Sequence, residues 1–490
     1  MFFEYNMKYK KPFQKGGLKL KDASKKGFQP IYDMIQKPGS SLMLYKYHSL
    51  KGFMVILTVP KEGSEYLAFS GTRFQEPVTS YILKIVVTSD INDTRLPIFL
   101  TNIEKASESV ASFTEEAKLQ QYIWKSSIIG GRPAICPSIA NLSLFDHTNS
   151  KYLLDFLLNQ GPKIIKKGTN PIDANDAFLY LYNTISKNPS YGMGILSMST
   201  VEQSETLEDF LNLPIGSDFY GIPMTEEMKK QAYANVLAEI IRLFIMIGVI
   251  HFDLHVQNSL IFLSQDNEIK CKIIDFGRAS DINKGRDDGY LTMLEKQPIK
   301  LEQKKWYDIL FSSDELTNIE KLQYIDDVMK YLAHWDSEKN HALFPQLPPN
   351  EFVMNWYAKM PTQYKNAVYV NAYNILKTES STQGTNAAAT TIKKYETEGH
   401  LINFDNISDF IVPSPWIPPP SSPPPPPPIT AAPIQPKKIL NPFFKPKPPP
   451  PPSTGGRKTK KYKKKTTKKY KKKTTKKYKK KTTKKRNSKY

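Results

Sequence analysis

Two short polar clusters carry the residue types that could do chemistry in this chain. The octapeptide HFDLHVQN (residues 251–258) directly follows an apolar stretch, and Asp275-Phe276-Gly277 comes 16 residues after it. Phosphoryl transfer requires an aspartate that orients the attacking hydroxyl and accepts its proton, together with oxygen atoms that hold magnesium against nucleotide phosphates. Asp253 fits the first role. The amide of Asn258 and the carboxylate of Asp275 fit the second, because magnesium prefers oxygen ligands.

The order and spacing of these clusters resemble the protein kinase superfamily, whose catalytic loop reads HRDLKxxN and whose metal loop reads DFG. A lone DFG is a weak signal, whereas the ordered pair is a strong one. The resemblance implies an α+β, two-lobed protein-kinase-like fold with a β-rich N-lobe and an α-helical C-lobe. It also implies ATP and Mg²⁺ as cofactors and a Ser or Thr hydroxyl of a protein as the phosphate acceptor. The divergent core is similar to the serine/threonine kinases of large DNA viruses.

Upstream residues match further parts of the family pattern. The sequence YILKI (residues 81–85) resembles the VAIK-type strand, which makes Lys84 the residue expected to hold the α- and β-phosphates of ATP. Its helical partner is expected to be Glu116, with Glu115 as the alternative. Gly52 stands at the third glycine position of the glycine-rich loop and is expected to lie against the nucleotide.

Two other matches concern the parts that support the site. A strand at residues 194–198 followed by residues 199–205 resembles the hinge between the lobes, where adenine bonds to the backbone. Asp308, in the sequence KWYD, resembles the aspartate that begins the central helix of the C-lobe and braces the catalytic loop. The resemblance as a whole covers about residues 41–340.

The departures from the family pattern leave alternatives open. Only Gly52 of the GxGxxG loop is present, and no APE motif follows DFG. Phe252 replaces the arginine that pairs with a phosphorylated activation loop, and His255 replaces the usual lysine. One alternative is therefore a catalytically impaired pseudokinase that serves as a scaffold. Another is a small-molecule kinase of the aminoglycoside- or choline-kinase type, because HxDLHxxN also resembles their loops.

Apolar patterns in the sequence predict strands before these motifs and helices around them. Residues 53–59 and 81–87 are apolar runs typical of strands, and residues 113–124 favour a helix. Leu237, Ile241 and Phe244 recur at three- and four-residue spacing, which predicts a buried helix that ends before Gly248. A β-rich part followed by an α-rich part indicates an α+β architecture.

Composition divides the 490 residues into five predicted parts. Of 69 Lys and Arg residues, 21 lie in residues 457–490, which contain no Asp or Glu, so the rest of the chain carries 48 positive and 47 negative charges. A nearly neutral body that is rich in apolar residues can bury a sizeable core. The predicted parts are an N-terminal arm (1–40), an N-lobe to hinge (41–200), a C-lobe (201–380), a disordered Pro-rich linker (381–456) and a Lys-rich repeat tail (457–490).

The last two parts suggest binding partners. Residues 413–452 contain 20 prolines, so we expect an extended polyproline II segment that acts as a spacer or as a ligand for an SH3- or WW-type domain. The tail repeats TKKYKKKT around Tyr462, Tyr470 and Tyr478. Its lysines would bind nucleic acid or another polyanion with a steep dependence on salt, and its tyrosines could stack on unpaired bases.

Cysteine content and hydropathy bear on the compartment. Cys136 and Cys271 are the only cysteines and lack zinc-site spacing, so we expect both to pack in the core of an intracellular protein. The charged and aromatic start of the chain does not resemble a signal peptide, and secretion is not expected. The longest apolar run, residues 243–250, is too short to span a bilayer, which takes roughly 20 apolar residues.

Overall fold

The computed structural model describes most of residues 29–412, all of them within one of the two compact units into which the chain divides, Met1–Pro418. The described ranges are 29–37, 39–48, 52–60, 78–89, 107–128, 134–159, 163–165, 174–201, 203–264, 266–312, 316–343, 354–377 and 402–412. The Pro-rich stretch after residue 412 and the Lys-rich tail lie outside these ranges.

A six-stranded sheet forms the first part of the fold. In spatial order its strands are β4 (Ile139–Phe145), β6 (Gly192–Ser199), β3 (Val78–Thr88), β2 (Gly52–Pro60), β1 (Ser41–His48) and β5 (Lys163–Ile165). Neighbouring strands are antiparallel, except that β1 and β5 are parallel. The strands predicted at 53–59, 81–87 and 194–198 are β2, β3 and β6, and all three are confirmed.

Both faces of this sheet are buried, as the alternation along β3 demonstrates. Leu83, Ile85 and Val87 pack in one apolar cluster, whereas Ile82 and Val86 belong to another. Successive side chains of a strand point to opposite faces, so Lys84 points to the same face as Ile82 and Val86.

Helices cover the two faces. Three of them pack on the Leu83 face: α1 (Gln29–Gln36), α3 (His147–Asn159) and α4 (Ala174–Ser186). On the opposite face lies α2 (Val110–Ser127), which confirms the helix predicted at 113–124. The expected loose arm at residues 1–40 therefore needs correction in part. Ile31, Tyr32 and Ile35 of α1 are buried because their spacing presents one apolar face to the sheet.

The second part of the fold is mainly helical. Its principal helices are α5 (Leu207–Asn212), α6 (Glu226–Arg242), α7 (Met293–Tyr307), α8 (Asn318–Leu343), α9 (Asn355–Ala358) and α10 (Thr362–Lys377). The predicted buried helix is α6, extended by a π-helical turn at Leu243–Ile247. Gly248 ends it with a φ of 79°, a left-handed conformation that glycine adopts without strain.

Short strands connect the two parts. The antiparallel hairpin of β11 (Ser259–Leu263) and β12 (Ile269–Ile273) carries the residues between the two polar clusters, and β7 (Ser204–Thr206) pairs with β11. The remaining pairs are β8 (Asp218–Phe219) with β9 (Ile222–Pro223), and β10 (Val249–Ile250) with β13 (Ser280–Asp281). The fold is thus mixed α+β, as the sequence predicts.

Three further sequence expectations can be compared with the structure. Cys136 and Cys271 are both buried in the apolar core. Within the part of the chain that the structure describes, no helix is both long and apolar enough to cross a membrane. The predicted Pro-rich linker at 381–456 begins too early, because residues 402–412 pack on the sheet and include a 3₁₀ turn at Ile407–Phe410.

Candidate active site

A cluster of three charged side chains, two buried and one partly buried, joins the sheet to the second part of the fold. The Lys84 ammonium lies 2.6 and 2.8 Å from the two carboxylate oxygens of Glu116 and 2.8 Å from Oδ1 of Asp275. Lys84 stands in the middle of β3, Glu116 on α2, and Asp275 two residues after β12. Three residues that are up to 191 positions apart therefore meet at one point.

Two carboxylates and one ammonium meet in this cluster, and each affects the protonation of the others. Burial alone disfavours the Lys84 ammonium, but the attraction of Asp275 and Glu116 outweighs it and raises the pKa of Lys84. Burial raises the pKa of Glu116, with repulsion from Asp275 adding to the rise and the attraction of Lys84 opposing it.

The structure distinguishes between the two candidate glutamates of α2. Glu116 is buried against Lys84, while the carboxylate of Glu115 lies 2.9 Å from Lys118 and 3.3 Å from Lys284. Ser109 fixes the start of the helix, because its hydroxyl accepts a hydrogen bond from the backbone N–H of Ser112 at 3.1 Å.

His251 ties the first polar cluster to the second. Its Nδ1 accepts a hydrogen bond from the Asp253 backbone N–H at 3.2 Å, so Nε2 carries the ring proton and donates it to the Ile274 carbonyl at 3.1 Å. Burial lowers the pKa of His251 to about 4, although Asp253 and Asp275 oppose this, and the ring is therefore neutral. These contacts give His251 a structural role, because they hold the two segments together.

Asn258 provides two more links between the same segments. Its side-chain Nδ2 donates to the Asp253 carbonyl at 2.7 Å, and its own carbonyl accepts from the Ile274 N–H at 3.0 Å. The side chain is completely buried. Asp253 and Asp275 are consequently held in one hydrogen-bonded unit, because Ile274 precedes Asp275 directly.

Two non-glycine residues of these clusters have left-handed backbone conformations. The φ angles are 58° for Phe252 and 72° for Asp275. Such conformations cost roughly 1–3 kcal/mol each and persist where the surroundings hold them in place. Gly277 lies close to the charged cluster, since an added Cβ would come within 3.2 Å of Oε2 of Glu116.

Sequence reasoning missed the residues that hold Asp253 from the other side. Nη1 of Arg278 lies 3.2 Å from Oδ1 of Asp253 and 3.2 Å from Oδ1 of Asn340. Nδ2 of Asn340, on α8, also donates to the Phe252 carbonyl at 3.3 Å and to the Asp336 carbonyl at 2.8 Å. Arg278 directly follows the DFG sequence, and this position could have identified it from the sequence. Nothing in the sequence of α8 distinguishes Asn340 or Asp336 from other helical residues.

The remaining predicted residues are Gly52, His255 and Asp308, and their contacts are with other groups than the charged cluster. Gly52 begins β2, and a Cβ there would lie 2.2 Å from the Ile85 carbonyl oxygen, so the close approach of the two strands requires glycine. Nε2 of His255 lies 3.9 Å from Oδ1 of Asp253. Asp308 does not begin the long helix: it is exposed at the end of α7, and Asn340 of α8 contacts the Phe252 carbonyl instead.

The donor atoms suit one class of metal ion. Among the described residues no group of three or more His, Cys, Asp or Glu side chains could hold a metal by itself. The predicted donors are the carboxylate of Asp275 and the amide oxygen of Asn258, in two segments that the hydrogen bond from the Ile274 N–H to the Asn258 carbonyl joins. This is a hard oxygen set of the kind that magnesium takes when phosphates and water supply its other ligands.

Comparisons with known proteins add little to these observations. No protein-family model matches the chain, and no curated protein matches it. A solved structure that matches is described as WaaP in complex with acyl carrier protein, with 12% sequence identity over 70% of this chain and 91% of that chain. Its TM-score of 0.23 is too low to carry any conclusion about this protein.

Proposed function

We propose that this protein is a magnesium-dependent kinase that transfers the γ-phosphoryl group of ATP to a hydroxyl group, with a divergent two-lobed protein-kinase-like fold. The observation that supports this most is the contact of Lys84 with Glu116 and Asp275, because it joins the candidate phosphate-binding lysine to the candidate metal-binding aspartate. In kinases, the lysine on the third strand pairs with a helical glutamate when the site is competent.

Each residue of the site has a role in this proposal. Lys84, held by Glu116, binds the α- and β-phosphates, and its ammonium compensates their charge. Asn258 and Asp275 would hold magnesium, which would offset the negative charge of the phosphates. The 2.8 Å contact between Lys84 and Asp275 supports this assignment, because it places the proposed metal ligand next to the proposed phosphate-binding lysine.

Asp253 is the proposed base. The hydroxyl oxygen of the acceptor forms a bond to the γ-phosphorus, and the bond from that phosphorus to the β,γ-bridging oxygen breaks to release ADP. The hydroxyl proton passes to the carboxylate of Asp253. Arg278 and Asn258 act as positioning residues, since one holds the Asp253 side chain and the other holds its backbone carbonyl.

We propose a Ser or Thr hydroxyl of a protein as the acceptor, on the basis of the ordered kinase motifs of the sequence. A small-molecule hydroxyl is the competing acceptor. The two are separated by offering purified full-length protein a mixed protein substrate and, in parallel, a panel of aminoglycosides and choline, with labelled ATP and magnesium.

The decisive comparison uses two matched Asp→Asn variants. Asp253→Asn removes the proposed base, whereas Asp266→Asn makes the same change at an exposed position in the β11–β12 connection. We expect Asp253→Asn to lower the transfer rate roughly 100-fold or more, because a positioned base contributes about that much, and Asp266→Asn to leave it unchanged. Equal transfer by both variants, or no transfer by the wild-type chain to any acceptor, would contradict the proposal.

A second function, polyanion binding, is supported by the 21 Lys and Arg residues in residues 457–490. We propose that this tail tethers the protein to nucleic acid, whether or not the body is catalytic. The full-length chain should bind single-stranded DNA with an affinity that falls steeply with salt, whereas a chain lacking residues 457–490 should not bind. Retention of salt-sensitive binding after that deletion would refute the role of the tail.

A further inference from the structure

A short segment on the C-terminal side of α10 packs against the helix that carries Glu116. We refer to residues 402–412 as the C-terminal clamp. Its first residue makes two hydrogen bonds with Gln121 of α2: the Gln121 side-chain Nε2 donates to the Ile402 carbonyl at 2.7 Å, and the Ile402 N–H donates to Oε1 of Gln121 at 2.9 Å. The side-chain amide of Gln121 thus satisfies both the N–H and the carbonyl of Ile402, as the backbone of a neighbouring β-strand would.

The other end of the clamp is fixed to the sheet. The Val412 N–H donates to the Leu144 carbonyl at 2.8 Å, and Ile411 forms a parallel bridge with Leu144 of β4. Nδ2 of Asn149, at the start of α3, donates to the Val412 carbonyl at 3.3 Å. The clamp therefore spans from the sheet to the side of α2.

Aromatic side chains fill the space between these two ends. Phe404 and Phe410 are buried with their ring centroids 5.3 Å apart. They belong to the same apolar cluster as Phe113 and Ala117 of α2. Ala117 is adjacent to Glu116 in sequence, so the packing and the hydrogen bonds act on the same stretch of the helix.

We propose that the C-terminal clamp positions α2 so that Glu116 reaches Lys84. A helix moves largely as a rigid rod, and Gln121 is only about 7.5 Å along the axis from Glu116 at 1.5 Å per residue. A shift of α2 at Gln121 therefore displaces the Glu116 carboxylate from the ammonium. This inference rests on the proposed function, because it assigns the clamp a part in forming the phosphate-binding pair.

The test uses full-length variants that weaken the clamp at two independent places. Gln121→Ala removes both hydrogen bonds to Ile402, and Gln121→Glu keeps only the acceptor. The double variant Phe404→Ala/Phe410→Ala removes the aromatic packing. Asp405→Ala is the matched control, because Asp405 is an exposed residue of the same segment.

We expect kcat to fall in the order wild type, Gln121→Glu, Gln121→Ala, while the KM of the phosphate acceptor stays constant. The double variant should lose on the order of 100-fold, the cost of a displacement of about 1 Å in such sites. Asp405→Ala should match the wild type. A purely structural clamp would instead lower the amount of folded protein without a graded change in kcat.

Hydrogen exchange of the α2 amides gives a readout that does not depend on catalysis. Exchange in residues 110–127 should speed up in Gln121→Ala and in the double variant, and not in Asp405→Ala. If the wild-type chain transfers no phosphate, the proposed function fails while this readout still tests the clamp. Unchanged exchange of α2 in both weakened variants, or unchanged kcat in Gln121→Ala, would overturn the inference.

Discussion

The neutral state of His251 predicts a specific dependence of stability on pH. Its ring accepts a hydrogen bond at Nδ1 from the Asp253 N–H and donates one at Nε2 to the Ile274 carbonyl. A protonated ring could not accept the first of these bonds. The pKa of His251 is lowered from 6.5 to about 4, chiefly by burial. The stabilisation that this preference provides is fully present above about pH 6.5 and is lost as the pH falls towards 4.

The magnitude follows from the two pKa values. A tenfold preference for one protonation state is worth about 1.4 kcal/mol, so the full loss below pH 4 amounts to about 3 kcal/mol. Between about pH 8 and about pH 5, the wild-type chain should lose about 2 kcal/mol of its free energy of unfolding through this residue. A non-titrating side chain at the same position should lose none of it.

Urea unfolding of the wild type and of His251→Gln at these two pH values measures this loss. The variant is less stable at about pH 8, because it loses the contact of the ring with Phe276, whose centroid lies 4.9 Å away. The gap between the two proteins should narrow by about 2 kcal/mol at about pH 5. His334→Gln, at an exposed histidine, serves as the control. Parallel pH profiles for wild type and His251→Gln would refute the reasoning.

Three further predictions concern the charges around the site. Lys84→Met should lower the free energy of unfolding by about 3–5 kcal/mol in urea, because it leaves the buried Glu116 and the partly buried Asp275 without their ammonium. Adding Glu116→Gln should recover part of that loss. Arg278→Ala should lower kcat by about 10- to 100-fold, since the proposed base loses its positioning contact, while Arg278→Lys should lose less; equal rates in steady-state assays would contradict this. Burial, together with repulsion from Asp253, raises the pKa of Asp336 from 3.8 to about 7, so wild-type stability should fall as the pH rises from about 4 to 7. Asp336→Asn should therefore gain about 2–3 kcal/mol relative to wild type between about pH 5 and pH 8 in urea unfolding, and no gain would contradict the assignment.

The sequence predicts those features that depend on local pattern. Strands β2 and β3 follow from runs of apolar residues, and the buried helix α6 follows from its three- and four-residue spacing, because burial on one face imposes these periods. For these elements the information needed lies within about ten residues. The expected pairing of Lys84 with Glu116 joins residues 32 positions apart and comes instead from the resemblance to the kinase pattern.

Features that depend on distant contacts were predicted less well. Asn340 reaches the Phe252 carbonyl across 88 positions, and the residues around it form an ordinary helical pattern. The C-terminal clamp is short and has no helical or strand period, so its burial depends on a groove that only the folded protein provides. By contrast, α4 could have been predicted, since Phe178, Leu181 and Ile185 have helical spacing and are all buried.

The strongest physical argument for a functional site is that buried charges, strained backbone and a buried histidine, each of which lowers stability, occur together. The buried Lys84 and Glu116 meet the partly buried Asp275, and hydrophobic residues of similar volume would serve stability as well or better. Phe252 and Asp275 hold left-handed backbone conformations within the same two segments. His251 is kept neutral there by burial. A protein selected for stability alone would spread or remove such costs, whereas strained and charged groups persist together where a ligand or a reaction uses them.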